Sequence, residues 1–120
     1  MENKKILICD DDEGIIDVLG LILEETGHTI IPELNSLNVK SLIQNTEPDL
    51  IILDLWMPVL SGDQILKMIR NSPKTKDVPV IVMSASRDGA EIATAAGASA
   101  YISKPFDFDN VLAVVDGLIN

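Results

Sequence analysis

The side chains most able to do chemistry in this chain are carboxylates. Asp10, Asp11 and Asp12 stand together, Asp54 ends an apolar run, and Ser84 and Lys104 end two more. Short-armed carboxylates gathered on one rim repel each other unless a cation neutralises them. An all-oxygen donor set suits a hard cation. Magnesium in particular keeps several waters while accepting one or two carboxylates plus phosphate. The spacing of a calcium loop is missing, and zinc has no support because Cys9 and His28 lie in unrelated segments. Asp54 differs from the other acids because it closes the most apolar segment, where burying a carboxylate demands compensation. A carboxylate can act as a nucleophile and form an acyl phosphate. Phosphoryl transfer needs cations around the developing charge; Lys104 can supply one beside the metal, and the Ser84 hydroxyl can donate to a phosphoryl oxygen. Taken singly, Asp12 reads equally well as a helix cap, Ser84 as a turn hydroxyl and Lys104 as a solvated surface lysine. Joint placement is what argues for a site.

That placement depends on the elements. Short apolar runs alternate with helical stretches along the chain. "KKILIC" reads as a buried strand with Cys9 as a structural thiol, followed by a helix with apolar positions at Ile15, Ile16, Leu19, Ile22 and Leu23 that Gly27 stops. "HTIIPEL" reads as a weaker strand, placed at a sheet edge by Pro32. A short helix opens around Ser36 or Asn38, and "PDLIILDL" is a strand buried on both faces. "SGDQILKMIRNSP" is a helix turning Ile65, Leu66 and Ile69 inward. "VPVIVMSA" is a strand, "DGAEIATAAG" a short weak helix, "SAYIS" a strand, and "DFDNVLAVVDGLI" a helix capped by Asp107. Five strands alternating with five helices imply an α/β fold, a parallel sheet with helices on both faces. In such sheets ligands sit beyond the carboxyl ends of the strands. Asp10, Asp11, Asp12, Asp54, Ser84 and Lys104 should therefore share one rim, with His28 on the opposite one.

Composition narrows the function. The chain has 120 residues, 47% of them hydrophobic, enough for one domain over residues 1–120 with its own core. A net charge of -10, from 19 acidic against 9 basic residues, disfavours direct binding to nucleic acid or to anionic lipid. A single cysteine precludes a disulfide within the chain. "MENKK" leads into no secretory apolar stretch, and no apolar run is long enough to span a membrane. The expected location is the cytoplasm.

Four blocks in order, "ILICDDDEG", "DLIILDLWMPVLSG", "PVIVMSA" and "YISKPF", make the whole chain resemble the receiver domains of two-component response regulators. The resemblance implies a flavodoxin-like sheet of five parallel strands in the order 2-1-3-4-5. It makes Asp54 the phosphoacceptor, with Asp11 binding Mg2+ directly and Asp10 mostly through water. It also gives the Trp56 backbone carbonyl to the metal, Ser84 and Lys104 to the phosphoryl group, and a cis bond to the Lys104–Pro105 step. Tyr101 matches the switch aromatic, outward at rest and inward when active: phosphorylation is expected to draw Ser84 inward and let Tyr101 fill the vacated space. Met57, Pro58 and Gly62 match the loop after the acceptor. Two departures stand out. The Ser84–Lys104 interval is somewhat short, with the loss around the fourth helix, which Gly89 also weakens. Trp56 is a bulky ring two residues past the acceptor, suited to shielding the phosphoryl group or to shaping partner recognition.

The expected function is phosphorelay signalling: a sensor histidine kinase or phosphotransfer protein donates to Asp54, and an interaction surface switches. The chain would assist its own phosphorylation and dephosphorylation without being a turnover enzyme. A binding-only module has no physical need for like charges around a pocket. A small-substrate phosphatase would want a cap segment, and a flavin carrier a hydroxyl-rich loop where "DDDEG" stands. The output is expected to be a separate protein target or an output domain missing from this chain.

Overall fold

The computed structural model describes residues 3–119. The strands are β1 (Lys5–Cys9), β2 (Thr29–Glu33), β3 (Leu50–Asp54), β4 (Val80–Ser84) and β5 (Ala100–Ser103). The helices are α1 (Glu13–Glu24), α2 (Val39–Thr46), α3 (Gly62–Asn71), α4 (Gly89–Ala96) and α5 (Phe108–Ile119). All strand pairs are parallel, in the order β2-β1-β3-β4-β5. This is the expected flavodoxin-like α/β sheet, and Pro32 falls on the edge strand β2 as its missing N–H requires.

The period-two geometry of strands divides the core into two layers. Ile6, Ile8, Leu50, Ile52, Ile81 and Met83 face α1 and α5, which contribute Leu19, Leu23, Val111 and Val115. Leu7, Cys9, Ile51, Leu53, Val80 and Val82 face the other way, toward Ile43 of α2, Leu66 of α3 and Ala93 of α4. Every residue of β3 and β4 is buried, and each fully buried Leu or Ile contributes on the order of 1.5–3 kcal/mol. Cys9 sits 3.4 Å from the Met57 sulfur, and burial, reinforced by nearby acids, pushes its thiol up to about 12. It is a packing thiol. No described helix is long and apolar enough to cross a membrane.

Several boundaries carry local reasons. Asp12 caps α1, accepting from the Gly14 and Ile15 amides at 2.9 and 3.4 Å. Asp107 accepts from Asn110 N–H at 2.7 Å at the start of α5, as expected. Helix α2 is preceded by a 3-10 turn, Ser36–Asn38, capped by Asn35. Ser61 and Gln64 form a capping box that opens α3. His28 is half-buried rather than a free surface residue: its Nδ1 accepts from the Lys4 amide at 3.1 Å, at the rim opposite the acids.

Candidate functional site

Strand β1 is parallel to β3, with Cys9 in register with Leu53, so the residues that follow each strand emerge side by side. Asp10 and Asp54 are thereby neighbours at the carboxyl edge, and both are buried, at 0% and 6% exposure. One carboxylate oxygen from each of Asp10, Asp11 and Asp54 lies within 4.8 Å of the others. Asp12 is spent on its cap and does not join them, which resolves its two readings in favour of the cap.

Lys104 enters this cluster from the end of β5. Its Nζ donates to Asp10 Oδ2 at 2.9 Å and to Asp54 Oδ1 at 3.0 Å. Asp10 Oδ1 accepts from the Asp12 amide at 2.9 Å. One cation thus serves two buried carboxylates, and the titration behaviour follows. Burial alone would lower the Lys104 pKa, but its hydrogen bonds to Asp10 and Asp54 outweigh that and raise it. Asp54 is raised to about 6, chiefly by burial and further by Asp10 and Asp11, against a partial lowering by Lys104. Both partners of the pair move upward because burial of the Asp54 carboxylate outweighs its single ammonium partner, while the ammonium gains two carboxylates. Among the described residues Asp54 Oδ2 has no protein donor, yet it is not a sealed, unpaired atom. All-oxygen donors, clustered carboxylates and an incompletely neutralised Asp54 fit a hard divalent ion.

After Asp54 the chain leaves the sheet through a tightly held loop. Gly62 N–H donates to the Leu55 carbonyl at 2.8 Å, and a Cβ on Gly62 would lie 2.3 Å from the Asp54 carbonyl oxygen. The glycine matched by resemblance is thus a steric requirement of the Asp54 backbone. Val59 adopts φ 73°, a left-handed conformation costly for a β-branched residue.

Ser84 is 1% exposed at the end of β4. Its hydroxyl does not meet Asp54. It lies 2.8 Å from Ser86 Oγ and accepts from the Ser86 amide at 3.0 Å. The Ser84 carbonyl accepts twice at 2.9 Å, from the Lys104 amide and from the Tyr101 hydroxyl. Tyr101 is therefore half-buried and inward in this structure, the position that resemblance assigns to the active form, rather than outward. Gly89 explains how: a Cβ there would lie 2.4 Å from the Tyr101 hydroxyl oxygen and 2.9 Å from Ser84 Cβ. Gly89 is also the first residue of α4, so it makes room for the ring instead of weakening a helix interior. Trp56 is 52% exposed, and its indole N–H donates to Ser86 Oγ at 3.2 Å. The Lys104–Pro105 bond is cis.

Ser86 and the room left by Gly89 escaped the reading of the sequence. A signal for Ser86 exists: Asp54 is in register with Met83, so residues just beyond the two strands leave the sheet at the same height. Several clefts lie elsewhere. One of about 610 Å3, lined by Ile43, Gln44, Thr75 and Val78 among others, opens at the rim opposite the acids.

The response regulator receiver domain model matches residues 6–116. The chain belongs to the response regulator receiver domain family of two-component signalling. It is 32% identical over 96% of its length to the DNA-binding dual master transcriptional regulator RpaA of Synechocystis sp., covering 48% of that protein. It is 33% identical over 92% of its length to sporulation initiation phosphotransferase F of Bacillus subtilis, covering 90% of it. Among solved structures, the receiver domain of a DNA binding response regulator from Colwellia psychrerythraea superposes with a TM-score of 0.89. The identity is 28%, over 98% of each chain. The chain spans about half the length of several curated relatives it matches.

Proposed function

We propose that this receiver domain, which occupies residues 1–120, accepts a phosphoryl group on Asp54 from a phosphohistidine of a sensor kinase or phosphotransfer protein. The observation that carries the reading is the shared ion pair. Lys104 holds Asp10 and Asp54 together through Asp54 Oδ1, while among the described residues Asp54 Oδ2 meets no hydrogen-bond donor. Asp54 Oδ2 attacks phosphorus, the new P–O bond forms as the P–N bond breaks, and the imidazole nitrogen leaves with the electron pair. Lys104 Nζ, already 3.0 Å from Asp54 Oδ1, steadies the acceptor and meets the charge carried in by the phosphoryl oxygens. Ser84 supplies a further donor from β4. Asp10, Asp11, Asp54 and the Trp56 backbone carbonyl would hold Mg2+, which supplies positive charge against the phosphoryl oxygens when bound. The product is an acyl phosphate on the protein itself, so the domain acts as a relay and not as a turnover enzyme.

The phosphoryl group then biases an existing equilibrium through its differential affinity for the two forms. Tyr101 and the fourth helix carry that bias to a surface read by a protein target or an output domain. The reading places the domain in the cytoplasm, with no direct contact to nucleic acid or membrane. The test is intact-protein mass spectrometry after incubation with acetyl phosphate and magnesium. One added phosphoryl group is expected in the wild type and none in Asp54→Asn. Equal labelling of both would overturn the assignment.

A further inference from the structure

Trp56 and Ser86 stand beside the site, and the phosphoacceptor reading uses neither side chain. They link the loop after β3 to the end of β4. The Trp56 indole N–H reaches Ser86 Oγ at 3.2 Å, Ser86 Oγ reaches Ser84 Oγ at 2.8 Å, and the Ser86 amide donates to the same Ser84 oxygen at 3.0 Å. An unbroken run of hydrogen bonds therefore leads from a half-exposed ring to a hydroxyl buried at 1% exposure.

We propose that Trp56 is a positioning residue for the Ser84 hydroxyl, acting through Ser86, an inference that rests on Ser84 serving the Asp54 phosphoryl group. The proton inventory makes the case. An indole N–H can only donate, so Ser86 Oγ must accept from Trp56. Ser86 Oγ then has one lone pair and its own proton to share with Ser84. Ser84 Oγ in turn has one lone pair taken by the Ser86 amide. The contact between the two hydroxyls can run either way. With Ser84 donating, its buried proton is satisfied and the Ser86 proton faces water. With an acceptor oxygen on Asp54, the Ser84 proton turns to it, and Ser86 donates to the Ser84 lone pair that remains. The Trp56 bond persists in both arrangements. The buried hydroxyl can change its target without being left unpaired, which is the costly alternative. A ring placed only to cover the phosphoryl group would not need its single polar atom aimed at a serine. The register of β3 and β4 brings the two residues together, so the relay is built into the strand ends.

Trp56 is the only tryptophan in the 120 residues, so this chain gives one indole 1H–15N resonance. The wild type, Ser86→Ala and Ser86→Thr are compared without and with beryllium fluoride plus magnesium. The wild-type indole resonance is expected to shift when the phosphoryl mimic binds. Ser86→Ala should move the resonance of the mimic-free protein to that of a solvated indole and lose the shift on binding; Ser86→Thr, which keeps a hydroxyl, should restore both. An indole resonance in Ser86→Ala that matches wild type, or that shifts as fully, overturns the relay. Acetyl phosphate labelling of wild-type Asp54 is read separately. Failure there defeats the phosphoacceptor reading, while the mimic-free spectra of Ser86→Ala still decide whether Ser86 holds the indole.

Discussion

On one half of the rim, Lys104 faces Asp10 and Asp54 at 2.9 and 3.0 Å among buried carboxylates. On the other half, Ser84, Ser86, Tyr101 and Trp56 are joined by hydrogen bonds between neutral groups, with two of the four side chains half-buried and one exposed. The acid half holds unbalanced charge in a fixed frame. Its groups have few alternatives, and relief comes from an added cation. The hydroxyl half is satisfied as it stands, and each of its hydroxyls can exchange one partner for another at small cost. On the proposed function, the chemistry would fall to the acid half and the switching to the hydroxyl half.

Four substitutions test that contrast. The largest effect is expected from Gly62→Ala. The added Cβ meets the Asp54 carbonyl, so the Asp54 backbone must move. A loss of about 3 kcal/mol of stability is expected by urea denaturation, together with loss of phosphoryl acceptance. A near-neutral result would show that the acid half is less rigid than described.

Asp54→Asn probes the charge imbalance itself. The native carboxyl, raised to about 6 from its ordinary 3.8, holds its proton more tightly than the unfolded chain does. Stability therefore falls as pH rises through that window, and the deficit is fully present above it. In chelator-treated buffer at pH 7.5 the variant should be more stable than wild type by about 2 kcal/mol, with the gap closing as pH drops below about 4. Thermal melts across pH read this. A variant less stable at neutral pH would mean that pairing with Lys104 outweighs burial.

Gly89→Ala addresses the hydroxyl half. Its Cβ would displace the Tyr101 hydroxyl from the Ser84 carbonyl and turn the ring outward. At the first position of α4 little helix propensity is gained, so the crowding is expected to cost about 1 kcal/mol of net stability. Aromatic NMR of the single tyrosine reports the ring's position; an unmoved ring would show that α4 yields instead. Val59→Asn should have the smallest effect, a gain of about 0.5–1 kcal/mol, because asparagine tolerates the left-handed conformation better than valine. A loss on chemical denaturation would mean that the exposed valine side chain makes contacts worth more than the strain.

Much of the acid half could be read from residue order. Apolar runs of strand length alternate with helical periods, and that alternation demands a parallel sheet whose carboxyl ends share a rim. Asp10, Asp54, Ser84 and Lys104 each follow or close such a run, so their convergence needs no knowledge of side-chain conformation. The apolar helix positions Leu19, Leu23, Leu66 and Ile69 were equally legible, since a 3.6-residue period has one inward face.

What only the folded structure decided are choices among competing partners. Asp12 could serve the cluster or cap α1, and the amides of Gly14 and Ile15 claimed it. Lys104 could extend into water, yet two carboxylates, one just past β1 and one closing β3, hold it. The Ser84 hydroxyl found Ser86, and Tyr101 turned into room that exists only because Gly89 lacks a side chain. Strand order is set by patterns within each segment, and those patterns are written locally. The direction of a rim side chain is set by groups from several segments at once, and their distances exist only after the sheet has formed.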